Sequence, residues 1–327
     1  MSRDRVYVTR RRVPDAIALL EKHFEVDVWE ETSPPPRPVL FKQLARCQGI
    51  LTEVDDIMDR EALEAGPSLS VVSNRAIGLD NVDLPEATRR GIAIGNTPGV
   101  LHESCADFTF ALILSVARRV AFADRRVQSG EWKIFDQMPY LGRDVHGATL
   151  GLVGFGRIGQ AVARRAAGFD MTVLYHSRTR RQDQEDELGV KWVPYLPSLL
   201  RDSDFVSVHV PLTEETRYLI GKTEFETMKP GAFLINTSRG GTVDPDALRA
   251  ALSDGALAGA ALDVTDPEPI PPDDPLLGMD NVVVTPHISS ASAATVRAMG
   301  MMAAENIITA LTGGEMPSCV NPEVLRA

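Results

Sequence analysis

The sequence predicts an α/β protein made of two Rossmann-like, doubly wound parallel-sheet domains, one of them discontinuous. Three observations carry this. The chain has 327 residues, more than a single hydrophobic core usually serves. Short apolar runs of strand character alternate with helical patterns, which implies parallel pairing and βαβ units. Near the middle, Leu150-Gly151-Leu152-Val153-Gly154-Phe155-Gly156-Arg157-Ile158-Gly159 reads as a strand, a tight glycine turn and a helix start, and it restarts the alternation.

The elements follow in order. Strands are expected over 5–9, 25–29, 49–52, 69–73 and 92–94. Pro14 suits the first turn of a helix running to about residue 23. Residues 33–38 read as a stiff, proline-rich surface connection, followed by a helix to Cys47. Residues 101–119 form a long, mostly apolar helix, of the kind buried between layers, and are taken as the bridge between the domains. After the strand that leads into the glycine turn, further strands are expected at 171–175, 205–210, 232–236, 258–262 and 282–285. Helices lie near 196–200, 223–228 and 244–252. Six strands with the glycine turn after the first fit a doubly wound nucleotide-binding domain. A last helix over 291–311 crosses back to complete the first domain. The expected division is therefore 1–99 with 290–327, and 100–289.

Composition narrows the function. An apolar fraction of 44% and a charged fraction of 24% are ordinary for a globular chain. A net charge of -11 argues against nonspecific binding to nucleic acid or an anionic membrane. Cys47, Cys105 and Cys319 lie far apart and form no metal framework, which fits a reducing compartment. The N-terminus runs directly into a charged strand, so no signal peptide is expected. The apolar run near 108–120 is too short to span a bilayer and holds Arg118 and Arg119. The expected location is the cytoplasm.

In the glycine turn, Gly154 allows the tight bend and Gly156 lets backbone approach a pyrophosphate. Gly159 lets the helix pack on the strand, and the helix N-terminus offers N–H groups to phosphates. Phe155, Arg157 and Ile158 belong to the same cofactor-facing stretch. An ordinary βα turn is the plainer alternative. NAD-binding domains carry an acidic residue about twenty positions further on, on the ribose 2′-OH. Here the second strand ends in Tyr175-His176-Ser177-Arg178-Thr179-Arg180, with no Asp or Glu. Ser177, Arg178 and Thr179 suit a 2′-phosphate, with Arg178 as the bidentate partner. This favours NADPH, with NADH use still open. A solvated basic turn is the plainer reading.

Ligands of open α/β sheets bind beyond the carboxyl ends of the strands. Arg239, Glu268 and His287 all stand there. A histidine can give a proton to a developing alkoxide, and a carboxylate can orient its ring and favour its protonated form. An arginine can hold a substrate carboxylate and polarise a carbonyl. Each also has a structural reading: Arg239 as a strand cap, Glu268 as an exposed loop carboxylate, His287 as a loop residue. The other histidines rank lower. His23 ends a surface helix, His146 lies before the glycine strand, and His176 marks the ribose end. His209 reads as a core residue, and His102 opens the long helix.

Several stretches together resemble the D-isomer-specific 2-hydroxyacid dehydrogenases over nearly the whole chain, most closely the glyoxylate/hydroxypyruvate reductases. They are Asn74 to Asp83 (NRAIGLDNVD), Asn96 to Leu101 (NTPGVL), Val153 to Gly159, Ile235 to Gly240 (INTSRG), Leu262-Asp263-Val264 with Glu268-Pro269, and Thr285-Pro286-His287-Ile288. The Tyr175–Arg180 stretch is also similar to NADP(H)-using glyoxylate reductases. The resemblance implies that Arg239 binds substrate, His287 is the acid/base and Glu268 its partner. It implies that Asp263 contacts the nicotinamide carboxamide, and that Val210, Pro211 and Thr237 line the cofactor. The backbone of Ile77 and Gly78 would hold the substrate carboxylate. It further implies a homodimer in which a residue near Phe135 reaches the partner's site. Two positions depart from the pattern: Cys105, where threonine is common, and Ser289, where glycine is usual.

The expected activity is NADPH-dependent reduction of glyoxylate or hydroxypyruvate, with no metal and only small 2-keto or 2-hydroxy acids as partners. Alternatives are a dehydrogenase for D-3-phosphoglycerate or a bulky 2-keto acid, a phosphite oxidoreductase, and a nucleotide-sensing corepressor-like protein. With no regulatory domain expected beyond residue 327, the long phosphoglycerate type ranks lower.

Overall fold

The computed structural model describes residues 3–326. Met1, Ser2 and Ala327, at the ends of the expected ranges, lie outside the described residues. The chain divides into two compact units: 1–101 with 291–327, and 102–290.

The first unit opens with β1 (Arg5–Val8), α1 (Pro14–Glu21), β2 (Glu25–Val28), α2 (Arg37–Leu44) and β3 (Gly49–Thr52). It continues with α3 (Arg60–Glu64), β4 (Val71–Asn74), α4 (Leu84–Arg89) and β5 (Ala93–Gly95). Its five strands are all parallel in the order β2-β1-β3-β4-β5. Alternate side chains serve opposite faces. Val6, Val8, Leu51 and Val71 join Ala16, Ile17 and Leu20 in one core. Tyr7, Ile50, Val72 and Ile94 join Leu40, Leu44 and Leu63 in the other. The stiff connection expected over 33–38 ends early, because Arg37 and Pro38 already form the first turn of α2, where proline is tolerated.

The second unit holds α5 (His102–Ala117), α6 (Val120–Gln128), β6 (Thr149–Val153), α7 (Arg157–Ala166), β7 (Thr172–His176), α8 (Gln182–Leu188) and β8 (Lys191–Trp192). Then come α9 (Leu196–Asp202), β9 (Phe205–Val208), α10 (Lys222–Thr227), β10 (Ala232–Asn236), α11 (Pro245–Ser253), β11 (Leu257–Leu262) and β12 (Val282–Val284). The sheet has seven strands, one more than expected, in the order β12-β11-β10-β9-β6-β7-β8, all parallel. The extra strand, β8, is two residues long, too short to show a pattern. The order reverses between β6 and β9, which makes the carboxyl end of β6 the switch point where ligands bind.

The helix taken as a bridge is part of the second unit. Ala106, Phe110, Ile113 and Val116 of α5 pack with Leu150, Leu152 and Ala161 in its core, and Phe110 stacks on Phe169 at 5.2 Å. The helix ends at Ala117, and Arg119, at φ +55°, turns the chain into α6. Finally α12 (Ala293–Thr312) returns to the first unit, where Ala303, Ala304 and Ile307 complete the core with α1. Its amino end is capped by Ser292, whose hydroxyl accepts from Thr295 N at 3.2 Å.

Candidate active site

The cofactor cradle is built at the end of β6. Gly154 has φ +99°, and a Cβ there would stand 2.7 Å from the His209 carbonyl, so only glycine fits. Its N–H donates to His176 O at 2.8 Å. A Cβ on Gly159 would meet Gly154 O at 2.6 Å, which sets the close approach of helix to turn. Gly156 faces open space, with nothing within 4 Å of a notional Cβ. It precedes α7, whose start has no side-chain cap, so the first N–H groups point outward unsatisfied. This is a cradle that fits a pyrophosphate. Within it, the structure narrows the expectation for two residues. The Phe155 ring is buried and stacks on Tyr175 at 3.9 Å, and Ile158 packs into the core. Only their backbones remain to face a ligand, because apolar side chains at a strand–helix junction turn inward. Arg157, exposed, opens α7.

At the ribose end, Ser177, Arg178 and Thr179 form a tight turn after β7, in which Ser177 Oγ donates to Thr179 O at 2.6 Å. The turn is clasped from behind. Tyr175 OH donates to Glu185 at 2.7 Å and accepts from Arg181 N at 2.8 Å. Arg180 pairs with Glu185 at 2.7 Å and lies over the Trp192 ring. The Arg180 hydrogen bond, helped by Tyr175, holds the Glu185 carboxyl down at about 2. Arg180 is thus committed to Glu185. Among the described residues Arg178 has no ion-pair partner within 4 Å, although its charge reaches Glu215. Val210, just past β9, packs on Gly154, and Pro211 follows it at the surface. Thr237 is buried, its hydroxyl 3.1 Å from that of Thr109 on α5.

Arg239, Glu268 and His287 follow β10, β11 and β12, which are neighbours in the sheet. His287 Nδ1 lies 2.6 Å from Glu268 Oε1. With the carboxylate accepting at Nδ1–H, Nε2 is left to exchange a proton. The His287 backbone, at φ +55°, is held from below by Asp263. His287 N donates to Asp263 O at 2.8 Å, Ile288 N to Oδ1 at 2.8 Å and Ser289 N to Oδ2 at 2.7 Å. Thr285 Oγ1 adds a fourth bond, to Oδ1, at 2.7 Å. Sequence reading gave Asp263 a contact with the nicotinamide and missed this anchoring role, which depends on the ends of two strands meeting.

The Arg239 turn is fixed by Asn236, also missed. Its Nδ2 donates to Arg239 O at 2.9 Å, and its Oδ1 accepts from Ser238 N at 3.0 Å. Gly240 then presses on the next loop, since a Cβ there would stand 1.9 Å from Thr265 O. The loop bearing Glu268 therefore lies directly against the turn bearing Arg239. A Gly240→Ala variant must part them. Overpacking of this kind costs about 1–3 kcal/mol, so a lower thermal midpoint and reduced turnover are expected. An unchanged midpoint in a thermal melt would show the two loops to be independent.

The two departures from the family pattern meet each other. Cys105 Sγ lies 3.7 Å from Ser289 Oγ, and burial pushes the thiol up to about 11. Of the other histidines, His209 stands just beyond β9, 2.9 Å from Ser207 Oγ, and burial pushes it down to about 4. His176 bonds Val193 O at 3.0 Å, His146 pairs with Asp170 at the surface, and His102 lies beside Glu103. His23 is exposed just past α1. None joins the His287 pair.

Ile77 and Gly78 belong to the first unit, in the loop after β4. Asn96 Nδ2 holds Ile77 O and Asn74 Nδ2 holds Gly78 O, each at 3.0 Å. Among the described residues neither of their N–H groups has a hydrogen-bond acceptor. The described residues contain no group of three metal-ligating side chains, and no described helix is long and apolar enough to cross a membrane.

A glycine cradle at a switch point, with an arginine and a histidine–carboxylate pair on adjacent strand ends, defines a nicotinamide-dependent oxidoreductase acting on CH–OH groups. Comparison with known proteins places it further. Residues 110–289 match the NAD-binding domain of the D-isomer specific 2-hydroxyacid dehydrogenases, and the chain belongs to that family. It is 51% identical to a glyoxylate reductase of Korarchaeum cryptofilum over 98% of this chain and 97% of that protein. A glyoxylate reductase of Thermococcus litoralis is 46% identical over 98% of each chain. Among solved structures, the TT0316 protein of Thermus thermophilus superposes with a TM-score of 0.91 at 44% identity, covering 97% of this chain and 99% of that one. The NADPH-dependent glyoxylate/hydroxypyruvate reductase of Sinorhizobium meliloti, in complex with NADP and malonate, gives 0.85 at 34% identity, covering 98% and 97%.

Proposed function

We propose that the protein reduces glyoxylate and hydroxypyruvate to glycolate and D-glycerate, with NADPH preferred over NADH. The observation that carries this reading is the His287–Glu268 pair, anchored by Asp263 on the strand end beside that of Arg239. When bound, the reduced nicotinamide supplies hydride to the keto carbon. Arg239 binds the substrate carboxylate and polarises the carbonyl, and the free N–H groups of Ile77 and Gly78 hold the same carboxylate. His287 gives the Nε2 proton to the carbonyl oxygen as it gains charge, while Glu268 keeps Nδ1 protonated and the ring aimed. Hydride and proton together turn C=O into CH–OH. Gly154, Gly156 and Gly159 with the start of α7 receive the pyrophosphate, Val210, Pro211 and Thr237 line the cofactor, and Ser177, Arg178 and Thr179 receive a 2′-phosphate.

The same reading takes the protein to be a cytoplasmic homodimer with no nucleic-acid or membrane partner. Trp132, Ile134, Phe135 and Met138 are 65%, 72%, 85% and 69% exposed in a single copy, an apolar surface suited to a second chain.

A steady-state panel tests the proposal, with glyoxylate, hydroxypyruvate, pyruvate and phenylpyruvate each measured with NADPH and NADH. The two small acids with NADPH should give the highest kcat/KM. Arg178→Ala should raise KM for NADPH about tenfold, the worth of one charge-assisted hydrogen bond, and leave NADH unaffected. A strong NADH preference in the unaltered protein would overturn the reading of Ser177, Arg178 and Thr179.

A further inference from the structure

The carboxyl edge of the first unit's sheet carries buried charges that the reaction above does not use. Arg10, Glu53 and Arg75 stand just past β1, β3 and β4, three adjacent strands. Arg75 continues the ladder, its N–H donating to Thr52 O at 2.8 Å. Its guanidinium grips the Glu53 carboxylate with two nitrogens, Nε reaching Oε1 at 2.8 Å. The two side chains are only 10% and 5% exposed. Beside them Arg10 pairs with Asp56 at 2.8 Å, both 1% exposed. The Glu53 carbonyl is also tied down, accepting from Asn81 Nδ2 at 3.0 Å. Two buried cations thus face two buried carboxylates, and Arg75 is only two residues from Ile77.

A buried cation so near an acid-binding loop would attract any second anionic group on the substrate, because a charge in a low-dielectric setting is felt strongly over several ångströms. Here each guanidinium is already cancelled. We infer that Glu53 is a specificity residue: by neutralising Arg75 it leaves amide N–H groups, not a net cation, at this edge, and so favours 2-keto acids whose substituent is uncharged. The inference rests on the assignment of Ile77 and Gly78 to the substrate carboxylate.

The test compares glyoxylate with oxaloacetate, a 2-keto acid with a second carboxylate. Glu53→Gln keeps a hydrogen-bond acceptor for Arg75 but leaves its charge uncancelled. The ratio of kcat/KM for oxaloacetate over glyoxylate should rise about tenfold, through KM, and fall back as salt is added. Arg75→Met leaves the carboxylate alone and should move the ratio in the opposite direction. The double variant Glu53→Gln/Arg75→Met is neutral again and should return the ratio to that of the unaltered protein. Because the single variants predict opposite signs, loss of folding in one leaves the other decisive, with a thermal melt as the check. Glyoxylate turnover with an unchanged ratio in both single variants overturns the inference alone. No turnover of any 2-keto acid by the unaltered protein overturns the functional reading and the inference with it.

Discussion

His287→Asn is expected to lower kcat by about 10²–10⁴-fold, the usual worth of a general acid, while cofactor binding stays within about twofold on the same account. Asparagine is the informative replacement because it tolerates the left-handed backbone that His287 adopts at φ +55°. The bonds from residues 287, 288 and 289 to Asp263 are made by backbone N–H groups and survive the change. The loss is therefore confined to the ring. An amide cannot deliver a proton to the carbonyl oxygen, and Glu268 is left with no imidazole to orient. Steady-state turnover with glyoxylate, together with a fluorescence titration of NADPH, separates the two effects. Near-normal turnover in the variant would sink the acid assignment.

Much of this site was legible because its residues follow recognisable runs. The cradle declares itself through glycine spacing: His209 stands behind Gly154 and the turn itself behind Gly159, while Gly156 leaves open space for a ligand. Arg239 and His287 stand out because each follows an apolar strand directly. What lay hidden depends on elements meeting in space. The Asp263 carboxylate receives its donors from the end of a different strand, more than twenty residues on. The Cys105–Ser289 contact joins residues 184 apart. The packing of α5 was hidden for a related reason: a helix apolar on most faces says that it is buried, not against which side chains. Short elements such as α3, α4, α8 and β8 escaped because they span too few residues to show a period. The Glu53–Arg75 pair joins residues 22 apart on the ends of two strands, and its cancellation of charge required the fold.

Arg239→Lys is expected to lower kcat/KM for glyoxylate about 10²–10³-fold, although the charge is kept. The root of this side chain is rigid. Its carbonyl accepts from Asn236 Nδ2 and from Thr242 Oγ1 at 2.7 Å, and Gly240 presses the turn against Thr265. One guanidinium nitrogen, Nη1, donates to Ser238 O at 2.9 Å, which fixes the plane of the group. A carboxylate and the adjacent carbonyl oxygen need two or more donors in a fixed plane, and the guanidinium supplies them. A lysine ammonium is a single point on a flexible stem and cannot serve both oxygens from the same fixed root. The loss should divide between the two kinetic constants. Weaker grip on the carboxylate raises KM, and poorer polarisation of the carbonyl lowers kcat. Arg239→Gln, which also removes the charge, should be worse in both. If Arg239→Lys raises KM alone and leaves kcat intact, then Arg239 holds only the carboxylate, and the carbonyl must be polarised by His287 as it donates its proton.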